Sequence, residues 1–474
     1  MNSLPLSLER SAKPNPTFML AAICMGAFVS HFTAGVVNVS LPHLAELFAT
    51  EIRIVQWITT GYLLVIAALL PLMGKLGDRY GHRRIHNLGY VFFAASSLLV
   101  ALSPNITLLL AFRMVQAIGA AMFQATNMAL VAIHMPANAR GRAMGILSTA
   151  VALGGMSGPI AGGFIAQWLN WHWLFIVHVP IILAAAWLAY RFIPVQVPAS
   201  RNGQVDIPGA VSFAAAISFA IIAVSNGNTW GWLSLNTGIL FLLAALSMSW
   251  LIWRGSTHSS PFLPMNVFRI PAVVSGLAVS FLSFILANTL LVVMPFYMTV
   301  SAGFAPAEAG YLLAAYPLAL AFTGPLSGRL SDRYGSRPFL FIGLCAMGGG
   351  SLLFMLVPDT PALFGIIASL ILTGIGMGLI AAPNNSFILR QVPSSLIGTI
   401  GGIIALTRNA GMVVGAALGL GLMNDAAGSG EASASGEWLT PFAMNILVSV
   451  IGLAILGSET VLGQRHRVIQ RQMD

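Results

Sequence analysis

Arg113, Gln116, Gln124 and Asn127 recur at i, i+3, i+11 and i+14 inside an otherwise apolar run, and Arg408 stands inside another. The spacing puts the first four within a narrow sector of one helix face. In hydrocarbon such a stripe turns inward, onto protein or onto a water-filled path. The other reading places Arg113 about 10 Å from its helix start, at roughly 1.5 Å per residue, close enough to reach the surface. A guanidinium near mid-helix costs about 2.5–3.5 kcal/mol or more to insert. Arg408 therefore needs compensation, either from a neighbour's backbone carbonyls or from a bound solute. Asn288 and Asn384 add amides in the second half of the chain, and Tyr62 and Tyr316 add rings that can stack on a small molecule. The chemistry in reach is hydrogen bonding and charge pairing with a solute. No nucleophile constellation supports His172 or Ser157, and no Gly-Lys-Ser/Thr follows a strand to cradle a phosphate.

Proton chemistry has fewer candidates. The chain has 13 acids, and none falls squarely at the middle of an apolar run. Asp78, Asp206 and Asp332 lie in or beside basic loops, while Glu308, Asp425 and Glu459 sit at helix ends. His31 shares a helix face with Asn38, seven residues on, and histidine titrates near neutral pH. A lone helix histidine is more commonly a packed, hydrogen-bonded residue, so both roles stand. Cys24 and Cys345 fall in different halves, giving no disulfide framework, and no spacing suggests a metal site. No cofactor is expected.

The elements that must hold these residues are membrane spans. Hydrophobic residues make up 57% of 474 and charged residues 7%, where a soluble domain carries roughly 25% charge. About 20 apolar residues cross a bilayer, and fourteen such runs occur: 17–42, 53–74, 85–103, 106–135, 143–168, 174–194, 207–227, 237–254, 271–300, 308–328, 339–357, 361–392, 398–423 and 441–462. With the N-terminus inside, most Lys and Arg of the loops fall on one face, from Lys75, Arg79 and Arg83 to Arg329, Arg333 and Arg337. Such retention marks the cytoplasmic side. The net charge of +9 is thus topology and not a nucleic-acid site. Both termini are expected in the cytoplasm, with residues 1–16 and 463–474 as tails.

A duplication organises the spans. Gly74-Lys75-Leu76-Gly77-Asp78-Arg79-Tyr80-Gly81-His82-Arg83 returns 254 residues later as Gly328-Arg329-Leu330-Ser331-Asp332-Arg333-Tyr334-Gly335-Ser336-Arg337. Ile118-Gly119, Asn127 and Pro136 return 257 residues later as Ile375-Gly376, Asn384 and Pro393. The implied fold is an all-α integral membrane protein of two pseudo-symmetric six-helix bundles, 17–194 and 271–462, joined by a linker, 195–270, with two extra spans. At the repeated loops, glycines permit chain reversal, and Asp78 and Asp332 can cap helix amides or pair with Arg79, Arg83 and Arg333. The loop is either a latch that opens and closes one side or a plain topology anchor. Gly154, Gly158 and Gly162 stack along the fifth span and Pro159 bends it; the segment is either a pliable seam or ordinary close packing.

These motifs resemble the major facilitator superfamily, specifically its fourteen-helix drug:proton antiporter branch. Gly74 to Arg84 matches the loop motif. Arg113-x-x-Gln116-x-x-Gly119 is similar to the fourth-helix motif. Gly145, Gly154, Gly158-Pro159 and Gly162-Gly163 are similar to the fifth-helix antiporter motif, and Val36 to Pro42 resembles the end of the first-helix motif. The resemblance implies a monomeric inner-membrane exporter of small molecules, driven by protons through alternating access, and not an enzyme. One departure matters: the family's first-helix aspartate is Thr33 here. Without that acid, and with Arg113 and Arg408 inside, neutral or anionic amphiphiles are the expected substrates. His31, Thr33 and Asn38 become the coupling candidates. An uncoupled facilitator, an anion exchanger or, further off, a membrane sensor are the alternatives.

Overall fold

A backbone in hydrocarbon must satisfy its own amides, so helices are the default for these runs. The computed structural model describes residues 16–136, 140–195, 206–258, 262, 265–356, 363–392, 397–428 and 438–473, and among them every regular element is helical. In chain order they are α1 Pro16–Leu47, α2 Ile52–Tyr80, α3 His82–Ala101, α4 Ile106–His134, α5 Arg140–Trp168 and α6 Trp173–Ile176 with Val179–Phe192. The inserted pair is α7 Ile207–Trp230 and α8 Leu235–Thr257. The rest are α9 Pro271–Phe296, α10 Pro306–Leu313 with Ala315–Tyr334, α11 Arg337–Met355, α12 Leu363–Leu389, α13 Ile397–Gly428 and α14 Leu439–Met473. Twelve of these segments are long and apolar enough alone to cross a bilayer. α3 and α5 lie between spanning neighbours and complete the fourteen.

Besides α6, two further helices depart from a plain rod for local reasons. α10 breaks at Ala314 because Pro317 has no N–H to give the Leu313 carbonyl. α9 runs through Pro295 into a π turn, Tyr297–Ser301.

The repeated phrase is less of a loop than its composition suggests. Gly74 to Tyr80 are the last two turns of α2, and Gly328 to Tyr334 end α10 in the same way. The chain reverses only at Gly81 (φ 92) and Gly335 (φ 83), where a side chain would be strained. Gly74 and Gly328 are helical and make no turn. The helices outrun the apolar stretch because their last turns carry charge into water at what is here called the basic end; the opposite end is the far end.

α1 packs on α5, α3 on α4 and α2 on α4, and the second half repeats this with α9 on α13, α11 on α12 and α10 on α12. The close approaches repeat too. A Cβ on Gly119 would lie 2.9 Å from the Gly89 carbonyl oxygen, and one on Gly376 would lie 2.6 Å from that of Gly343. The halves meet along α2 with α13, α5 with α10 and α1 with α9. Two apolar clusters close this seam. Toward the basic end, Leu63, Ile66 and Leu70 pack with Ile403, Ile404 and Leu406. Toward the far end, Phe32, Val36 and Val39 pack with Leu286, Leu290 and Leu313.

The inserted hairpin lies beside the seam, with α7 against both α2 and α13. Its base is pinned by Asp206, 3% exposed, which accepts from Gly209 N at 3.0 Å, Arg254 Nε at 2.6 Å and Phe262 N at 3.2 Å. Burial alone would push this carboxyl up. The bond from Arg254, with those from Gly209 and Phe262, outweighs it and holds the pKa below the ordinary carboxylate value.

Candidate functional site

Between the two apolar clusters lies a polar layer built by α1, α4 and α13. Gln124 of α4 donates from Nε2 to Ser30 Oγ of α1 at 2.7 Å. Asn409 of α13 approaches the same glutamine from the second half, with Nδ2 3.5 Å from Gln124 Oε1 and 2.8 Å from the Ala405 carbonyl. One turn along α4, Asn127 Oδ1 is buried without a partner.

Arg408, beside Asn409, has its Nε buried and unpaired, and its Cζ stands 5.9 Å from the centre of the Phe284 ring. Its charge bears on His31, the neighbour of Ser30. His31 Nδ1 lies 3.0 Å from the Ala27 carbonyl. A carbonyl only accepts, so Nδ1 carries the proton and Nε2 keeps a free lone pair. No carboxylate answers these groups: the ion pairs among the described residues are Arg53–Glu51, His82–Asp78 and Arg254–Asp206, all at helix ends.

Arg113 belongs elsewhere. It is 1% exposed and lies inside the first half, donating from Nε to the Ile58 carbonyl at 3.3 Å and from Nη1 to Gln116 Oε1. Its Cζ is 3.9 Å from the Tyr62 ring centre and 5.6 Å from that of Phe175. Gln116 Nε2 in turn donates to Ser97 Oγ at 2.6 Å, and Ser97 Oγ lies 3.1 Å from His178 Nε2. The guanidinium is thus held by backbone, amide and two aromatic faces, which is how a cation survives without an acid.

The remaining expected residues separate similarly. Asn288 donates to the Met412 carbonyl at 2.5 Å and Asn384 to that of Gly276 at 2.8 Å, so both amides clamp helices within the second half. Tyr316 is buried in the far-end cluster. Asn38 Oδ1 accepts from Thr59 at 2.9 Å, while Thr33 Oγ1 is buried and unpaired. At the basic end, Asp78 meets His82 Nε2 at 2.9 Å rather than an arginine, and makes no cap for α3. Arg83 donates to the Tyr190 carbonyl at 2.5 Å. Arg79 and Arg333 each lie 5.3 Å over the tyrosine that follows, Tyr80 and Tyr334. The Asp332 side chain lies outside the described residues.

α5 has two working faces. Gly154, Gly158 and Gly162 press on α1; a Cβ on Gly158 would sit 2.7 Å from the Phe32 carbonyl oxygen and 3.0 Å from Gly35 Cα. Pro159 and Gly163, one residue round, press on α10 at Gly310 and Pro306, where Ala307 N also donates to Gln167 Oε1 at 3.2 Å. The first face holds one half together, and the second holds the halves to each other.

Sequence reasoning missed Ser30, Ser97 and Asn409. Asn409 had a signal, an amide beside an arginine in an apolar helix; the two serines had none, since hydroxyls are common in spans.

Two like helical halves, a seam sealed at both ends and a polar layer between the seals define a membrane transporter body. The chain belongs to the Major Facilitator Superfamily, whose sequence profile matches residues 23–288 and 276–465. It is 32% identical over 405 residues to the riboflavin transporter RibZ of Clostridioides difficile, covering 84% of this chain and 86% of that protein. It is 27% identical over 414 residues to the lincomycin resistance protein LmrB of Listeria monocytogenes, 87% of each chain. A solved POT family transporter, in complex with a thioalcohol-conjugated peptide, shares the fold: TM-score 0.70 at 14% identity, over 94% of this chain and 96% of that one. The chain is a multi-pass membrane transporter of this superfamily, not an enzyme.

Proposed function

We propose that this transporter exports small neutral or anionic amphiphiles by alternating access, coupled to proton entry, as a monomer with both termini cytoplasmic. The observation that carries the reading is the polar layer, where an arginine with its Nε buried and unpaired lies between two apolar seals that each draw on both halves. A half-buried arginine whose Nε is cut off from water and from any acceptor is costly. A ligand oxygen, charged or neutral, relieves that cost only while bound, which is the differential interaction a carrier needs. Phe284 beside it and Phe28 stacked on Phe32 at 5.5 Å offer flat apolar faces to the rest of an amphiphile. Relatives named for riboflavin transport and lincomycin resistance favour small organic solutes. The basic loops favour cytoplasmic termini.

Coupling follows from the lone pair on His31 Nε2. A neutral substrate that donates a hydrogen bond to it competes with a proton for the same electrons, and competition at one site is the minimum chemistry of antiport. An anion held by Arg408 makes no such demand. It would bind more tightly beside a protonated His31 and so would not displace the proton, and this favours a second reading for anions, exchange or facilitated flow without proton antiport.

Proteoliposomes loaded with a pH dye test both. Substrate-triggered proton movement that His31→Gln abolishes is the expected result. Unaltered movement in that variant removes His31 from the mechanism, and transport with no proton movement in the wild type leaves the exchanger or facilitator. Resistance profiles of a drug-sensitive host expressing the protein test the substrate class: protection against quaternary amines but not against neutral or anionic compounds would contradict it.

A further inference from the structure

Gln56 is 1% exposed, yet neither atom of its amide has a hydrogen-bond partner. Thr60, one turn deeper on α2, is fully buried with Oγ1 equally unpaired. Groups taken from water with nothing in return destabilise the state that buries them. Leucine and valine would fill the same volumes without that cost.

The geometry of α2 says which way they face. Gln56, Thr60, Leu63 and Ala67 follow i, i+4, i+7 and i+11, one stripe of a helix. Leu63 and Ala67 pack in the cluster that contains Ile403, Ile404 and Leu406 of α13. Ile58 and Tyr62, on the other side of α2, meet Arg113 of α4, and α2 also packs on α13, so the stripe is the side turned to the seam. Ile52, one turn nearer the far end, lines a recess of about 280 Å³ with Pro42 and Ala45 of α1 and Phe296 and Val300 from the end of α9. The recess lies at the far end between α1, α2 and the end of α9, and Gln56 and Thr60 follow Ile52 one and two turns deeper along α2. Thr59, on the α1 side of the stripe, is occupied by Asn38; its two neighbours are not.

We propose that Gln56 and Thr60 form a second solute subsite below the far-end recess, specific for a neutral group with an N–H donor beside a carbonyl acceptor, such as an imide or lactam edge. A primary amide presents donor and acceptor in one plane and pairs with such an edge through two bonds. With the far end closed the amide meets nothing; with it open the amide meets solute, so the solute favours opening. The inference rests on the transporter reading above and adds a place and a ligand chemistry to it.

The fluorescent pair 1,8-naphthalimide and N-methyl-1,8-naphthalimide differ by the one N–H in question. Titrated into purified protein in nanodiscs, wild type should bind the N–H form about tenfold more tightly, the worth of roughly one net hydrogen bond. Gln56→Leu and the volume-matched Gln56→Met should erase that preference and, without dye, raise Tm. A preference kept in both variants, no preference in wild type, or a fall in Tm in both variants overturns the subsite. Dye export from proteoliposomes separates the two ideas. Export without imide preference sinks the subsite and leaves the transporter reading; an intact, Gln56-dependent preference without export does the reverse.

Discussion

Adding one methyl group to α5 should have opposite consequences depending on which of two adjacent faces receives it. In Gly163→Ala the new Cβ would lie 3.0 Å from Ala307 Cα and press on the Pro306 carbonyl. In Gly158→Ala it would lie 2.7 Å from the Phe32 carbonyl oxygen, about 0.7 Å inside the 3.4 Å at which ordinary contact begins. Both neighbours are backbone, which cannot rotate aside, and overpacking of this kind costs about 1–3 kcal/mol. Phe32 belongs to the same half as Gly158, so that cost is borne in every conformation and should appear as a lower Tm. Pro306 and Ala307 belong to the other half, so Gly163→Ala is penalised only while the far end is shut. The same 1–3 kcal/mol then becomes roughly a 5–150-fold shift toward the open far end.

Labelling of a cysteine by a membrane-impermeant maleimide reads that shift. Leu313→Cys suits the purpose: Leu313 is 1% exposed and lies three residues from Gly310, which faces Pro159 across the seam. Cys24 and Cys345 are first replaced by serine. Faster labelling in Gly163→Ala with Tm near that of the parent, and slow labelling with reduced Tm in Gly158→Ala, is the expected pattern. Equal labelling in the two variants would refute the assignment of the faces.

Three further outcomes follow from the buried polar groups. Asp206→Asn should lose roughly 2 kcal/mol by weakening a charge-assisted bond to Arg254. Because the folded carboxyl titrates below its unfolded value, its contribution is complete at neutral pH and declines only as pH falls through the folded pKa; the Tm gap between wild type and D206N should stay flat from about pH 6 to 8 and narrow below about pH 4. In a double-mutant cycle, Arg113→Leu and Gln116→Leu should couple by about 1 kcal/mol or more, since the two side chains share a bond; additive losses would count against the network. Arg408→Met should leave Tm unchanged or raise it while abolishing transport of anionic substrates, and a large fall in Tm would mean that the guanidinium is already satisfied.

The fourteen spans and the twofold repeat were legible because period, length and offset are properties of the chain itself. The depth of a residue along a shared face was not. Arg113 and Gln124 lie on one sector of α4 as spacing predicts, yet eleven residues separate them by about 16 Å along the axis. Over that distance α4 changes neighbours, from Tyr62 of α2 and Ser97 of α3 to Ser30 of α1 and Asn409 of α13. One stripe thus serves two sites. The amides of Asn288 and Asn384 read as cavity groups in the sequence, but each finds a backbone carbonyl across a helix pair, a partner that composition never displays. The repeated Asp78 motif misled for a related reason: its glycines and charges suggest a loop, whereas the last turns of a helix leaving the bilayer tolerate both.

The two interior arginines show how burial separates scaffold from site more sharply than position does. Each departs from the duplication, with Leu370 opposite Arg113 and Val151 opposite Arg408. Arg113 is bonded to Ile58 and Gln116 and covered by Tyr62, all within one half, so rocking the halves leaves its surroundings unchanged. Its free energy is the same in either conformation, and an interaction equal in both states shifts no equilibrium. Arg408 is on the seam, unpaired at Nε, next to an asparagine that touches the other half. Its surroundings must change whenever the halves move apart. On the proposed reading, Arg408 is the one of the two placed to convert ligand binding into motion, because its surroundings, unlike those of Arg113, span the seam.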